Sequence, residues 1–309
     1  MHGMTLGHLA IMLAAILWAI GATFARTLID RGASVVELTA GRAWIALAGL
    51  GLVVLLRRKS TGHGPKESAS SMRVHLLGFG FALVGANFTY YAAISLLPVA
   101  VAIIIQYTAP GLVVVWKALV AGEPASRRVV YALVLALAGV LLISGVVQLG
   151  GMASLPAAGI ALGAGSAVSF AAYVLIGEKV GRRLGSDRAV FYGFLVASVF
   201  WSGVLALRGR PDTLMEPSFI PGILFLGIFT TILPFLLFLW GLGMIRASAA
   251  GIISTLEPVG AAVLAYIWLG QALTFLQLLG AAAVLLGIAV VQTERPVSDE
   301  AMAGSAVVE

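Results

Sequence analysis

Apolar residues run along this chain in long stretches, and polar residues gather in short segments between them. The stretches recur at lengths near the ~20 residues that a helix needs to cross ~30 Å of hydrocarbon. The pattern predicts helices over residues 6–28, 35–56, 74–96, 98–121, 129–148, 156–178, 188–207, 219–242, 247–269 and 273–292. The expected fold class is an all-α membrane protein of ten transmembrane helices. A membrane β-barrel would instead show alternating segments of about ten residues, and the chain has none. Residues 57–73, around Arg57-Arg58-Lys59 and Gly62-His63-Gly64-Pro65, read as a mobile linker. The Ser- and Ala-rich segment after Arg295 reads as a disordered tail.

The apolar pattern also repeats. Shifting the chain by 148 residues places Pro110-Gly111 on Pro258-Val259, Gly122-Glu123 on Gly270-Gln271, and Gly139 on Gly287. A shift of 152 places Gly7 on Gly159, Trp18 on Phe170, Ser34 on Ser186, and Gly41 on Gly193. The halves are therefore expected over 1–150 and 151–293, followed by a cytoplasmic tail over 294–309. Five helices per half is an odd number, so the second copy enters the membrane inverted, as in many secondary transporters that hold substrate between their repeats.

Composition narrows the class. Hydrophobic residues make up 61% of the chain and charged ones 10%, against roughly a quarter charged in a soluble domain. The net charge of +6 lies in short loops rather than in one patch, so it speaks of topology and not of nucleic acid. With the N-terminus in the cytoplasm, Arg57, Arg58, Lys59, Lys66, Arg73, Lys117, Arg127, Arg128, Lys179, Arg182, Arg183, Arg188, Arg246 and Arg295 share the cytoplasmic side. Only Arg26, Arg31, Arg208 and Arg210 face the other, which predicts both termini in the cytoplasm. The first apolar run has neither a basic segment before it nor a cleavage site after it, so it is expected to stay as the first helix. There are no cysteines, and the four histidines have no metal-ligand spacing. Gly78-Phe79-Gly80, Gly49-Leu50-Gly51 and Gly241-Leu242-Gly243 lie within apolar helices and read as packing sites rather than phosphate loops. No enzyme chemistry, cofactor, metal or obligate protein partner is expected; the partners are the bilayer and a small-molecule substrate.

Candidate chemistry lies within the spans. The fourth predicted helix contains Ile105-Gln106-Tyr107-Thr108-Ala109-Pro110 and its mate, the ninth, Ile253-Ser254-Thr255-Leu256-Glu257-Pro258. A proline inside a helix removes one hydrogen bond and clashes with the carbonyl four residues earlier, so Pro110 and Pro258 should free the carbonyls of Gln106 and Ser254. In hydrocarbon such carbonyls need protein or a wet cavity, which makes the paired kinks candidate gates. The other reading is a packing kink healed by neighbouring Ser or Thr. Asn87, Tyr90 and Tyr91 share a face of the third helix, and serve either as substrate contacts or as interhelical glue. Trp18 and the sixth-helix residues Ser166, Ser169, Phe170 and Tyr173, with Tyr107 and Trp240, are expected to face a ring-lined central cavity. With Gln106, Ser254 and Thr255 they form the candidate substrate site.

Three charges complete the set. Glu257 is expected near the midplane, either as a proton or ion site or as a neutral group bridging the carbonyls opened by Pro258. Arg42, inside the second helix, reads as structural, snorkelling outward or pairing with a carboxylate, and Lys117 as a snorkelling anchor.

The repeated element, a mid-span proline followed by a Gly-acid or Gly-amide turn and a Gly-punctuated helix, resembles the EamA domain of the drug/metabolite transporter superfamily. It runs from Pro110 through Gly122-Glu123 to Gly139-Val140, and again from Leu256-Glu257-Pro258 through Gly270-Gln271 to Gly280 and Gly287. Leu17-Trp18-Ala19-Ile20-Gly21 resembles the family's opening helix, and the likeness covers about residues 6–292. Gln271 departs from the usual Glu. The resemblance implies an inner-membrane exporter with a central cavity, most similar to the YddG-type exporters of aromatic amino acids. Export of hydrophobic cations or drugs is the alternative within the class, and a channel or membrane-embedded enzyme is the alternative outside it.

Overall fold

The computed structural model describes residues 2–56, 69–97, 99–144, 155–209, 211–269 and 272–293. Among these the elements are helical: α1 (His2–Asp30), α2 (Val35–Leu56), α3 (Ala69–Leu96), α4 (Val99–Gln106), α5 (Ala109–Leu119), α6 (Arg127–Ile143), α7 (Ala157–Leu184) and α8 (Ser186–Arg208). They continue with α9 (Asp212–Met215), α10 (Ile220–Gly227), a π-helical turn over Ile228–Ile232, α11 (Leu233–Leu242), α12 (Ala247–Ser254), α13 (Leu256–Leu269) and α14 (Phe275–Gln292). Among the described residues nine helical stretches are long and apolar enough to cross a membrane, counting α4 with α5, α10 with α11, and α12 with α13 as one each. The remaining predicted span, 129–148, is α6, whose 17 residues reach about 26 Å.

The boundaries differ from expectation in instructive places. Residues 69–73, assigned to a linker, are the first turns of α3, whereas 57–68 lie outside the described residues, as does the tail after Thr293. α7 extends to Leu184 rather than 178, because Gly185 at φ +80° supplies the left-handed conformation that stops it. The fourth and ninth spans are each two helices in succession rather than one kinked helix.

Neighbours come in mates between the halves. α3 packs on α7 while its counterpart, the α10–α11 span, packs on α1; α2 packs on α8, α5 on α12, and α6 on α14. The starts of α6 and α14 are capped alike. Ser126 accepts from the Val129 N–H, and Thr274 accepts from Gln277, whose amide returns the bond in a capping box. Gln277 also donates through Nε2 to the Ile143 carbonyl at 3.2 Å, satisfying the end of the partner helix. Glycine lets α6 and α14 touch backbone to backbone. A Cβ on Gly280 would lie 2.6 Å from Ile143 N and 2.7 Å from Gly139 O, and one on Gly139 would lie 2.6 Å from Gly280 O.

Candidate functional site

The two broken spans cross at the centre of the bundle. Pro110 stands in the first turn of α5, and a Cβ on Gly251 of α12 would sit 3.5 Å from its Cα. The breaks are healed by hydroxyls. Thr108 Oγ1 donates to Ile105 O at 2.7 Å, Ser254 Oγ to Gly251 O at 2.7 Å, and Thr255 Oγ1 to Ile252 O at 2.6 Å. Ser254 and Thr255 are fully buried and do not line the central cavity. Between the breaks the Tyr107 hydroxyl donates to Glu257 Oε2 at 2.7 Å.

This link lies on the wall of the central cavity, which has about 60 Å³ open to water centres, enough to hold water. Of the residues singled out in the sequence, Trp18, Asn87, Tyr90, Tyr91, Gln106, Tyr107, Tyr173 and Glu257 line it. Two other expected residues lie elsewhere. Trp240 is 42% exposed on the outer face of α11, and the cavity takes Phe235 from that helix instead. Ser169 packs into the α3–α7 interface, where its Oγ would lie 2.5 Å from a Cβ on Gly85. Ser166, fully buried, donates to Ala86 O at 3.1 Å and ties α7 to α3.

The ring wall is tightly coupled. Trp18 meets Phe170 at 6.0 Å and Phe235 at 5.3 Å between centroids, both edge-on, and Tyr173 lies against Phe170 at 5.9 Å and Phe235 at 5.6 Å. These separations fall in the range where aromatic pairs attract beyond simple burial. Four polar atoms on these residues and their neighbours are buried without a hydrogen-bond partner among the described residues: Trp18 Nε1, Tyr90 OH, Gln106 Oε1 and Tyr173 OH. Leaving one such atom unsatisfied costs about 1–3 kcal/mol, so these four, on residues that line one cavity, call for water or a polar ligand.

Arg42 also lines this cavity, and the structure fixes its surroundings. It is 4% exposed, so it does not snorkel, and its partners are not carboxylates. Nε donates to Thr231 Oγ1 at 2.8 Å, one terminal nitrogen to the Tyr91 hydroxyl, and the other to Thr230 O at 3.4 Å, while the guanidinium lies 4.8 Å from the Tyr91 ring centroid. Thr230 O is available because Pro234, four residues on, has no N–H to give it. The π-helical turn carries both threonines, whose hydroxyls donate back to Leu226 O. A lone cation within an apolar span was the signal that could have flagged Arg42. Pro234 escaped because Ala86 and Ala82 stand at the two repeat shifts, so it has no mate. Lys117, near the end of α5, pairs with Glu178 of α7 at 2.7 Å and with Glu123 at 3.2 Å.

Known proteins agree with this architecture. The EamA-like transporter family matches residues 5–145 and again 157–293. The threonine/homoserine exporters RhtA of Salmonella typhimurium (strain SL1344) and Escherichia coli (strain K12) are 30% and 31% identical over 219 residues, 70% of this chain and 70% of each of theirs. An uncharacterized transporter of Archaeoglobus fulgidus is 27% identical over 206 residues, covering 67% of this chain and 72% of its own. A solved crystal structure shares the fold over 94% of this chain and 98% of its own, with a TM-score of 0.73 at 24% identity. With two family matches that together span both halves, and the cavity between them, the chain belongs to the EamA-like transporter family of the drug/metabolite transporter superfamily.

Proposed function

We propose that this transporter exports neutral amino acids by alternating access around the cavity between the two helix breaks. The single observation that carries the reading is that four residues lining that cavity, within a wall of aromatic rings, hold polar atoms without a partner among the described residues, of mixed donor and acceptor character. An amino acid offers both kinds of hydrogen-bonding group at one end and an apolar or hydroxylated side chain at the other. The ring wall favours aromatic or large neutral side chains, with Tyr91, Tyr107 and Trp18 as the contacts and Pro110 and Pro258 as the gating positions. We take the helices to number ten, with both termini in the cytoplasm, because the basic residues then collect on the cytoplasmic side.

A second reading, a substrate the size of threonine or homoserine, has its own support. Relatives carry those amino acids in their names, and the cavity in this conformation is small. Counterflow in proteoliposomes with labelled phenylalanine, tryptophan, threonine and homoserine separates the two. Uptake of the aromatic pair supports the first, uptake of the hydroxylated pair alone the second, and flux of neither, with flux of a hydrophobic cation, overturns amino-acid export.

A further inference from the structure

Two opposite charges border the cavity, and each is held by neutral groups with capacity to spare. Arg42 has five N–H donors, of which Thr231, Tyr91 and Thr230 take three. One N–H on each terminal nitrogen is left over among the described residues, the number that a carboxylate takes in a bidentate pair. Glu257 accepts from Tyr107 on Oε2, and its other oxygen accepts no hydrogen bond among the described residues. The two residues come from helices of different halves, α2 and α13, and from opposite ends of the chain. Neither is paired to the other.

Burying a lone cation and a lone anion on one small cavity is costly unless something of matching charges lies between them. A zwitterion does so and leaves the cavity neutral. We propose that the site is a clamp for the α-carbon end of an amino acid, with the α-carboxylate on the terminal nitrogens of Arg42 and the α-ammonium on Glu257. Tyr91 and Thr231 act as positioning residues that fix the guanidinium plane, and Tyr107 does the same for the Glu257 carboxylate. The inference rests on the amino-acid reading above and goes further: it makes both charged groups of the substrate obligatory, which excludes amines, amides and acylated amino acids as cargo.

The test uses the full chain in proteoliposomes, with labelled L-phenylalanine and L-threonine as probes. Competitors are each parent amino acid, its amide (no carboxylate) and its N-acetyl derivative (no ammonium). For whichever probe moves, the parent should compete at least about tenfold better than either derivative, a difference of ~1.4 kcal/mol. A smaller gap for either derivative overturns the clamp while leaving amino-acid export intact. Flux or competition by the amide with none by either amino acid overturns both readings. Glu257→Gln should shrink the gap for the N-acetyl derivative only, and Arg42→Lys, which keeps charge but loses the fork, the gap for the amide only. Ligand-induced thermal stabilisation gives the same comparison for a variant that binds without transporting, and an unchanged or crossed pattern overturns the assignment. Should a variant fail to assemble, the wild-type competition still decides.

Discussion

The fifth helices of the two halves and the broken helices of the two halves are both repeat pairs, yet they are built on opposite rules. α6 and α14 meet through glycine, backbone against backbone, with caps that satisfy their ends and with Gln277 bridging to Ile143 O. The α4–α5 and α12–α13 spans also approach each other, but at Pro110 and Gly251 there is room for an added Cβ in ordinary van der Waals contact, beside a cavity whose lining residues hold four unpartnered polar atoms. The first pair has one tight way to fit. The second has polar groups and space in reserve, the conditions under which two arrangements can be close in energy.

Overfilling the tight pair is the harshest way to break this contrast. Gly280→Leu drives a Cβ into atoms of the α6 backbone, which cannot rotate away, and we expect a loss of about 3 kcal/mol or more, read as aggregation or a lowered Tm in detergent. Gly111→Ala, whose Cβ would meet nothing within 4 Å, should leave Tm unchanged. At the crossing of the breaks, Tyr107→Phe removes the donor to Glu257 and leaves a buried carboxyl short of a partner, at a cost of about 2 kcal/mol. Here the expected readout is lost transport with retained assembly, and full counterflow activity would show that the link is dispensable.

The prolines sharpen the contrast further. Pro110→Ala and Pro258→Ala each permit a continuous helix in one span only, so transport should fall while folding holds or improves. A bias of ~1.4 kcal/mol changes the ratio of the two access states tenfold, and the two variants should bias it in opposite directions. Because the chain has no cysteine, single cysteines near the two mouths report this by accessibility, and a shift in the same direction for both variants would refute alternate gating by the two breaks. The smallest effect belongs to the caps. Thr274→Ala should cost about 1 kcal/mol of stability with transport kept, seen as a modest fall in Tm.

How much of this was legible in the sequence depended on the range over which each feature acts. Apolar runs of span length mark where helices lie, and the paired prolines and Glu257 mark the crossing, because these are local or repeated signals. Arg42 is different. The groups that hold it, Tyr91, Thr230 and Thr231, lie 49, 188 and 189 residues away, so nothing near it in the chain shows whether it snorkels or is held. Trp240 was misplaced for a geometric reason. Residues five apart on a helix point about 140° from each other, so α11 cannot turn both Phe235 and Trp240 inward. Phe235 then faces the cavity and Trp240 the outside.

The contact between α6 and α14 also decides what can count as a moving part. One helix comes from the first family match and the other from the second, and at Gly139, Gly280 and Gly287 their main chains come together closely. Close-packed backbone of this kind resists sliding. We therefore expect that the two repeats do not rock against each other as intact blocks, since each carries half of the same strut. On that expectation the boundary between moving parts cuts across both repeats, at the breaks at Tyr107–Thr108 and Thr255, and the duplicated unit of the sequence differs from the rigid unit of the machine.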